Sequence, residues 1–311
     1  MENELQQTLN NILNDKNTNL LPENLRTGIT CLGIEGAMDS GAMTNVDYQT
    51  CLQLCDDIKG NPPPKEGHIY GVKRLRSSNA TTWERTDEGR GLVANATHDG
   101  TEVQNDFDNL SPWKDIISFD YDSSQQLATA YYGDDDFTFA PTDVNVNVFT
   151  KIPRFWYKRY IDEENYEHIQ IADYAVEGFL ESKEFAIARY PYQGSTRSPR
   201  SRSGLVPLTN TTGQKYQTGT KSLGNNVCLF DWRALGAIQF LYLVEYADNN
   251  SQENLGQGNI SSSSSKSNSG QLDSLGMKSG CLNNDAKHSV MYRGIEDIFG
   301  NVRSINRWSK Y

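Results

Sequence analysis

Beyond residue 67, one stretch of this chain has the length and pattern of a long helix: DWRALGAIQFLYLVEYAD, residues 231–248. Ala234, Ile238, Leu241, Tyr242 and Glu245 recur at helical spacing, and Asp231 stands where an N-cap belongs. The apolar runs around it are short and strand-like: HIYGVKRL (68–75), NVNVFTKIP (145–153), RFWYKRYI (154–161) and EHIQIA (167–172). Long segments rich in Asn, Asp, Ser and Gly separate them. One long helix among short strands and long loops implies an α+β domain whose loops carry the surface. With 36% hydrophobic residues and 16 tyrosines, the composition suits a loop-rich, aromatic-studded protein better than a helical bundle.

The first 60 residues read differently. Leu5, Leu9 and Ile12 form a short apolar stripe on a helix expected over 2–14, under two heptads long. Such a stripe can join two or three copies of the chain, or cap its own domain. In LLPENLRTGITCLGIEGAM (20–38), Pro22 and Glu23 start a helical turn, and the pattern around Ile29 to Ile34 predicts a short strand. A second amphipathic helix is expected over 46–58, with Tyr48, Cys51, Leu52, Cys55 and Ile58 on one face. GNPPPKEG (60–67) then breaks all periodicity. The organisation read from this is an attachment or oligomerisation module over 1–60, a Pro/Gly linker over 61–67 and a main domain over 68–311. The tract NISSSSSKSNSGQLDSLG (259–276) is of low complexity and is expected to be a mobile loop.

A net charge of −11 argues against a nucleic-acid partner, since tracking phosphates needs clustered Lys and Arg. The clusters at 73–76 and 197–202 are short and set among turn formers. The N-terminus has no apolar signal core, and the run 235–244 is too short to span a bilayer, so a soluble protein made in the cytoplasm without membrane insertion is expected. The odd, scattered cysteines (31, 51, 55, 228, 281) suit buried thiols better than a disulfide framework. The histidines at 68, 98, 168 and 288 show no zinc spacing.

Several blocks together resemble a family of phage and prophage minor structural, tail-tip or tail-fibre proteins. They are LLPENLRTGITCLGIEGAM, IYGVKRLRSSNATTWERTDEG, FDNLSPWKDI, FTKIPRFWYKRY, EHIQIADYAVEGF, SGLVPLTNTT, DWRALGAIQFLYLVEYAD and YRGIEDIFGNV, in that order. They cover most of residues 20–302. The resemblance implies a C-type-lectin-like domain, of the version shared with formylglycine-generating enzymes and with the variable proteins of diversity-generating retroelements. Gly294, Glu296, Asp297, Gly300 and Asn301 fall on that superfamily's G-x-x-D-x-x-G-N-V signature. Two glycines there permit tight turns, Ile298 and Phe299 can pack on a sheet, and Asp297 and Asn301 can satisfy backbone groups. Where the signature continues with Trp, this chain has Arg303. A truncated, a diverged or a rebuilt end would each account for that.

The resemblance implies a non-enzymatic protein of the virion tail that contacts a host surface receptor, glycan or protein, beside other tail proteins. It also implies a homo-oligomer, with a trimer as one candidate form. Trp232, Arg233, Tyr292, Arg293, Arg303 and Trp308 are the candidate ligand-binding residues, because aromatic and Arg side chains dominate interfaces. Local loop hydrogen bonding is the alternative for the arginines. An enzyme acting on surface glycans and a purely structural tail component are the competing readings. No G-x-S-x-G, P-loop or Rossmann fingerprint is present, and Cys228 and Cys281 lack a catalytic context. Asp134–Asp136 read as a solvated turn, with calcium a minority alternative that lacks EF-hand spacing. No cofactor is expected. In RFWYKRY, alternation puts Phe155 and Tyr157 on one face and Trp156 on the other.

Overall fold

The computed structural model describes residues 67–261 and 266–301, together with a small antiparallel pair, β1 (Thr30–Cys31) and β2 (Ile34–Glu35). The chain divides into two compact units, Met1–Gly67 and His68–Tyr311. The helices expected over 2–14 and 46–58, the linker up to residue 66, and Arg303 and Trp308 lie outside the described residues.

Period-two alternation builds the first sheet of the second unit. Its antiparallel strands run in the order β10 (Leu180–Ser182), β8 (Phe155–Ile161), β9 (Tyr166–Ala172), β3 (Ile69–Leu75), β4 (Glu84–Asp87). Val72 stands opposite Ile169, and Tyr70 and Tyr157 both stand opposite Ile171, so their side chains share one face. Phe155 lies on that face and is fully buried. Trp156 points to the other face, where Tyr160 stacks on His168 with ring centroids 4.5 Å apart. All four strands expected from the apolar runs form, within a residue or two of the expected bounds.

The long helix forms as α2 (Trp232–Tyr246) and covers the apolar face of this sheet. Asp231 caps it by accepting from the Ala234 N–H at 2.9 Å, and Ala247 ends it in the left-handed conformation at φ 52°. Ile238, Leu241 and Val244 are buried with Tyr70, Val72, Ile169 and Ile171. Trp113 and Phe107 close this core from two short 3-10 turns, their rings 4.7 Å apart and edge to face. The Trp113 indole N–H donates to the Leu241 carbonyl at 3.1 Å, so the ring is buried without a lost hydrogen bond. Among the described residues the other α-helices, α1 (Gly213–Thr220) and α3 (Ser251–Asn254), are short.

A second antiparallel sheet has the order β11 (Phe185–Ala188), β7 (Val146–Ile152), β5 (Ile117–Asp122), β6 (Leu127–Tyr131). One of its faces is buried yet partly polar: Ser118, Asp120 and Thr150 are enclosed beside Val148 and Ile152. Such a face needs hydrogen-bonding partners rather than a helix of leucines. Loops and the short hairpin of β14 (Met291–Tyr292) with β15 (Ile295–Glu296) supply cover, Thr150 bonding to its turn; a further hairpin pairs β12 (Gln193–Ser195) with β13 (Ser198–Arg200). Mixed architecture, rich in antiparallel sheet and poor in helix, is therefore observed.

The tract at 259–276 departs from expectation in its second half. Leu272 and Leu275 are buried with Met291, and Ser269 is enclosed. Two leucines and a short 3-10 turn at Asp273–Leu275 outweigh the polar composition and dock this segment. Asp134–Asp136 are exposed in a turn, as read from the sequence.

Leu241 sits at the centre of the helix-on-sheet core, so Leu241→Ala is expected to cost about 2–5 kcal/mol in urea unfolding. A loss below about 1 kcal/mol would show that the helix is not what the first sheet packs on.

Candidate functional site

The stretch Met291–Glu296 makes the tightest possible hairpin. Tyr292 pairs with Ile295, leaving only Arg293 and Gly294 in the turn, and both have positive φ, 42° and 75°. That is the left-handed geometry of a type I′ turn, usually Asn-Gly. Arginine there is strained by roughly 1–3 kcal/mol, so something must hold it. Gly294 is required for a further reason: a Cβ would lie 2.5 Å from Met277 Cε and 2.9 Å from Arg189 Nη1.

Glu245 holds the arginine. Its carboxylate, on the buried face of α2, is fully enclosed. Oε1 accepts from Arg293 Nη2 at 2.7 Å and from Asn105 Nδ2 at 2.8 Å. Oε2 accepts from Arg293 Nε at 2.8 Å and from the Tyr292 hydroxyl at 2.9 Å. Arg293 Nη2 also reaches Asp108 Oδ1 at 3.0 Å. Burial works against the guanidinium's charge, but Glu245 outweighs it and holds Arg293 above its ordinary value. The Tyr292 and Tyr246 phenols are raised by burial and then by Glu245.

A second buried arginine grips the same turn from the other side. Arg189, with no exposed surface, donates from Nη1 to the Gly294 carbonyl at 3.3 Å and to Ser118 Oγ at 3.0 Å. Its Nη2 donates to the Gly276 carbonyl at 3.0 Å, and its guanidinium lies 4.3 Å from the Phe139 ring centroid. Thr150 Oγ1 donates to the Gly294 carbonyl at 2.7 Å.

The rest of the signature ties loops to this hairpin. Glu296 accepts from the backbone N–H groups of Gly270 at 2.8 Å and Leu272 at 3.2 Å. Asn301 accepts from the Ser267 N–H at 2.8 Å and donates to Asp297 Oδ2 at 2.6 Å. Gly300 lies against the Asn259 backbone, where a Cβ would meet nitrogen at 3.0 Å. Ile298 and Phe299 are partly buried against the main core. Burial, then the neighbouring Asp297 carboxylate, pushes Glu296 up to about 8 against the opposing backbone hydrogen bonds. Burial likewise raises Asp297 to about 6.

The four candidate ligand-binding residues that fall among the described residues do not converge. Tyr292 and Arg293 lie in the interior with their polar atoms turned to Glu245, because a left-handed Arg-Gly turn points the guanidinium at the helix. Trp232, half exposed, and Arg233, exposed, sit at the opposite end of α2. From Trp232 to Glu245 the helix axis runs about 20 Å. Arg303 and Trp308 fall outside the described residues.

What the hairpin frames is a cleft of about 240 Å³ between the 95–108 segment, Tyr132 and the 274–279 segment. Its wall is pinned to the hairpin by Gly280, which exchanges backbone hydrogen bonds of 2.9 Å with Met291. The Arg293 N–H donates to Ser279 Oγ at 3.0 Å. Asp108 lines the cleft, and burial raises its carboxyl while Arg293 opposes. Lys278 and Glu102 pair on the exposed rim at 2.7 Å. Cys281 is buried nearby with its thiol pushed up to about 11 by burial, the state of an inert thiol. Among the described residues no group of three or more His, Cys, Asp or Glu side chains could hold a metal ion, and no helix is long and apolar enough to cross a membrane.

Sequence reasoning passed over Arg189, Asp108 and the buried acceptor role of Glu245. A signal existed for two of them: Glu245 falls in the apolar stripe of α2, and Arg189 interrupts the apolar run FAIARY. Asp108 gives no such sign. No family model, curated protein or solved structure matches the chain.

The raised Glu296 and Asp297 values have a defined sign. A carboxyl whose folded pKa exceeds its unfolded value adds stability when protonated and loses it as pH rises through the folded pKa. Urea midpoints are expected to fall between about pH 6 and about pH 8, by an equivalent of about 2 kcal/mol, and Glu296→Gln should flatten that decline. A midpoint that climbs over this interval would contradict burial as the cause.

Proposed function

We propose that this chain is a non-enzymatic phage or prophage tail protein whose second unit contacts a host cell surface through its loops. The observation that carries the reading is how the loops are held. Residues from 95–108, 259, 267, 270–276 and 280 are fastened by Arg293 and Glu296 of the hairpin and by Glu245, Arg189 and Asn301 around it, rather than by the surfaces they display. A rigid polar frame under irregular loops suits recognition, since loop surfaces can change while the frame persists. The resemblance of YRGIEDIFGNV and the preceding blocks to tail-tip proteins with a lectin-like domain supplies the biological setting, as does the short apolar stripe at Leu5, Leu9 and Ile12 for assembly into copies. Several copies per tail would multiply a weak contact.

The enzymatic alternative finds less support. The cleft beside the hairpin is small and open, its carboxylates are already paired with Arg293 and Lys278, and the neighbouring thiol is inert.

Fluorescently labelled full-length protein is expected to decorate cells of at least one strain in a broad panel of bacteria, saturably and in competition with unlabelled protein. Firm incorporation into tails with no strain decorated would replace the receptor-contact reading with a purely structural one.

A further inference from the structure

The cleft framed by the hairpin has features that its structural role does not require. At about 240 Å³ it holds roughly eight waters at about 30 Å³ each. That is below the range of about 300–1,000 Å³ typical of drug-sized ligands and suits a single ring-sized group. Its floor is preorganised. Asn105 is fixed between the Phe107 N–H and Glu245, and Asp108 is fixed by Arg293.

Its one aromatic wall is also held in place. Tyr132 is exposed on one side (40%), while Phe137 meets it edge to face at 5.7 Å and Phe139 lies 5.8 Å away. The Tyr132 hydroxyl rests over Gly276, where any Cβ would lie 2.3 Å from it. A ring pinned from behind and open in front is an apolar platform that costs little entropy to use.

Electrostatics then narrow the ligand. Asp108 and Glu102 oppose an anion, while Lys278 on the rim and Arg293 behind Asp108 oppose a cation. Each charge already has a partner of opposite sign, so none calls for a counter-ion. What remains is a mixture of acceptors and donors from Asn95, Thr101, Asp108, Tyr132, Ser274 and Lys278. Vicinal hydroxyls pair with such a mixture, and the C–H face of a sugar ring lies well on an exposed aromatic.

We propose that this cleft binds a neutral, polyhydroxylated ligand of single-ring size, with Tyr132 as the stacking wall and Asp108 and Lys278 as hydrogen-bonding partners. In the protein's setting the ligand would be the terminal sugar of a surface saccharide. That source rests on the host-surface reading above, whereas the cleft's chemistry does not.

The test is saturation-transfer NMR of the full-length protein with a panel of neutral methyl glycosides, with glycerol as the control for adventitious polyol contact. At least one glycoside is expected to show saturable transfer strongest at ring protons, and glycerol none. Tyr132→Ala and Ser274→Leu should weaken binding about tenfold or more, while Trp156→Ala, on the outer face of the first sheet, should leave it unchanged. Lys278→Met keeps the test open if Tyr132→Ala melts early, because Lys278 is exposed, and it too should weaken binding. No saturable glycoside, or full affinity in the folded cleft variants, overturns the proposal. Cell decoration without glycoside binding overturns the cleft and leaves the host-surface reading standing. Glycoside binding in a protein that decorates no cells does the reverse.

Discussion

Glu245 is the constraint on which the second unit turns. A fully buried carboxylate is tolerable only with its charge answered and both oxygens hydrogen-bonded, and Arg293, Tyr292 and Asn105 together do this. The helix that carries Glu245 is fixed by its packing on the first sheet, and the arginine that answers it sits in a two-residue turn against the second. One ion pair thereby joins the helix-on-sheet core to a polar region that apolar burial alone would not organise. The strain of a left-handed arginine is the cost of placing the guanidinium there. Arg189 completes the arrangement by holding the turn's carbonyl from the opposite side.

Much of the scaffold was legible in the sequence, because its signals are local. Ile69–Leu75, Phe155–Ile161 and Tyr166–Ala172 alternate with period two, and residues 231–248 combine a cap with a helical stripe. The strands of β5 and β6 were not legible. Ser118, Asp120 and Asp122 occupy the positions where an inward face normally shows apolar residues. Their burial depends on partners distant in sequence, such as Arg189, 71 residues from Ser118.

The functional region was less legible still. YRGIEDIFGN announced a special backbone, and its glycines and Asn301 do occupy left-handed positions. Which way Arg293 points could not be read, since that depends on Glu245, 48 residues earlier. Tyr292 and Arg293 resembled interface residues by type, yet their chemistry is spent inside. The cleft that the hairpin frames is built from Asn, Thr, Ser and Asp residues that look like ordinary loop composition until three segments meet. A polar residue's role is set by its partners, whereas an apolar residue's role is set largely by its spacing.

The central claim is that Arg293 and Glu245 act as one unit. A double-mutant cycle in urea with Arg293→Ala, Glu245→Ala and both together measures it. Each single change strands a buried charge and is expected to cost about 3–5 kcal/mol. The double variant should cost far less than their sum, giving a coupling of at least about 2 kcal/mol. Additive losses, or singles costing under about 1 kcal/mol, would contradict the claim that this pair holds the hairpin to the helix.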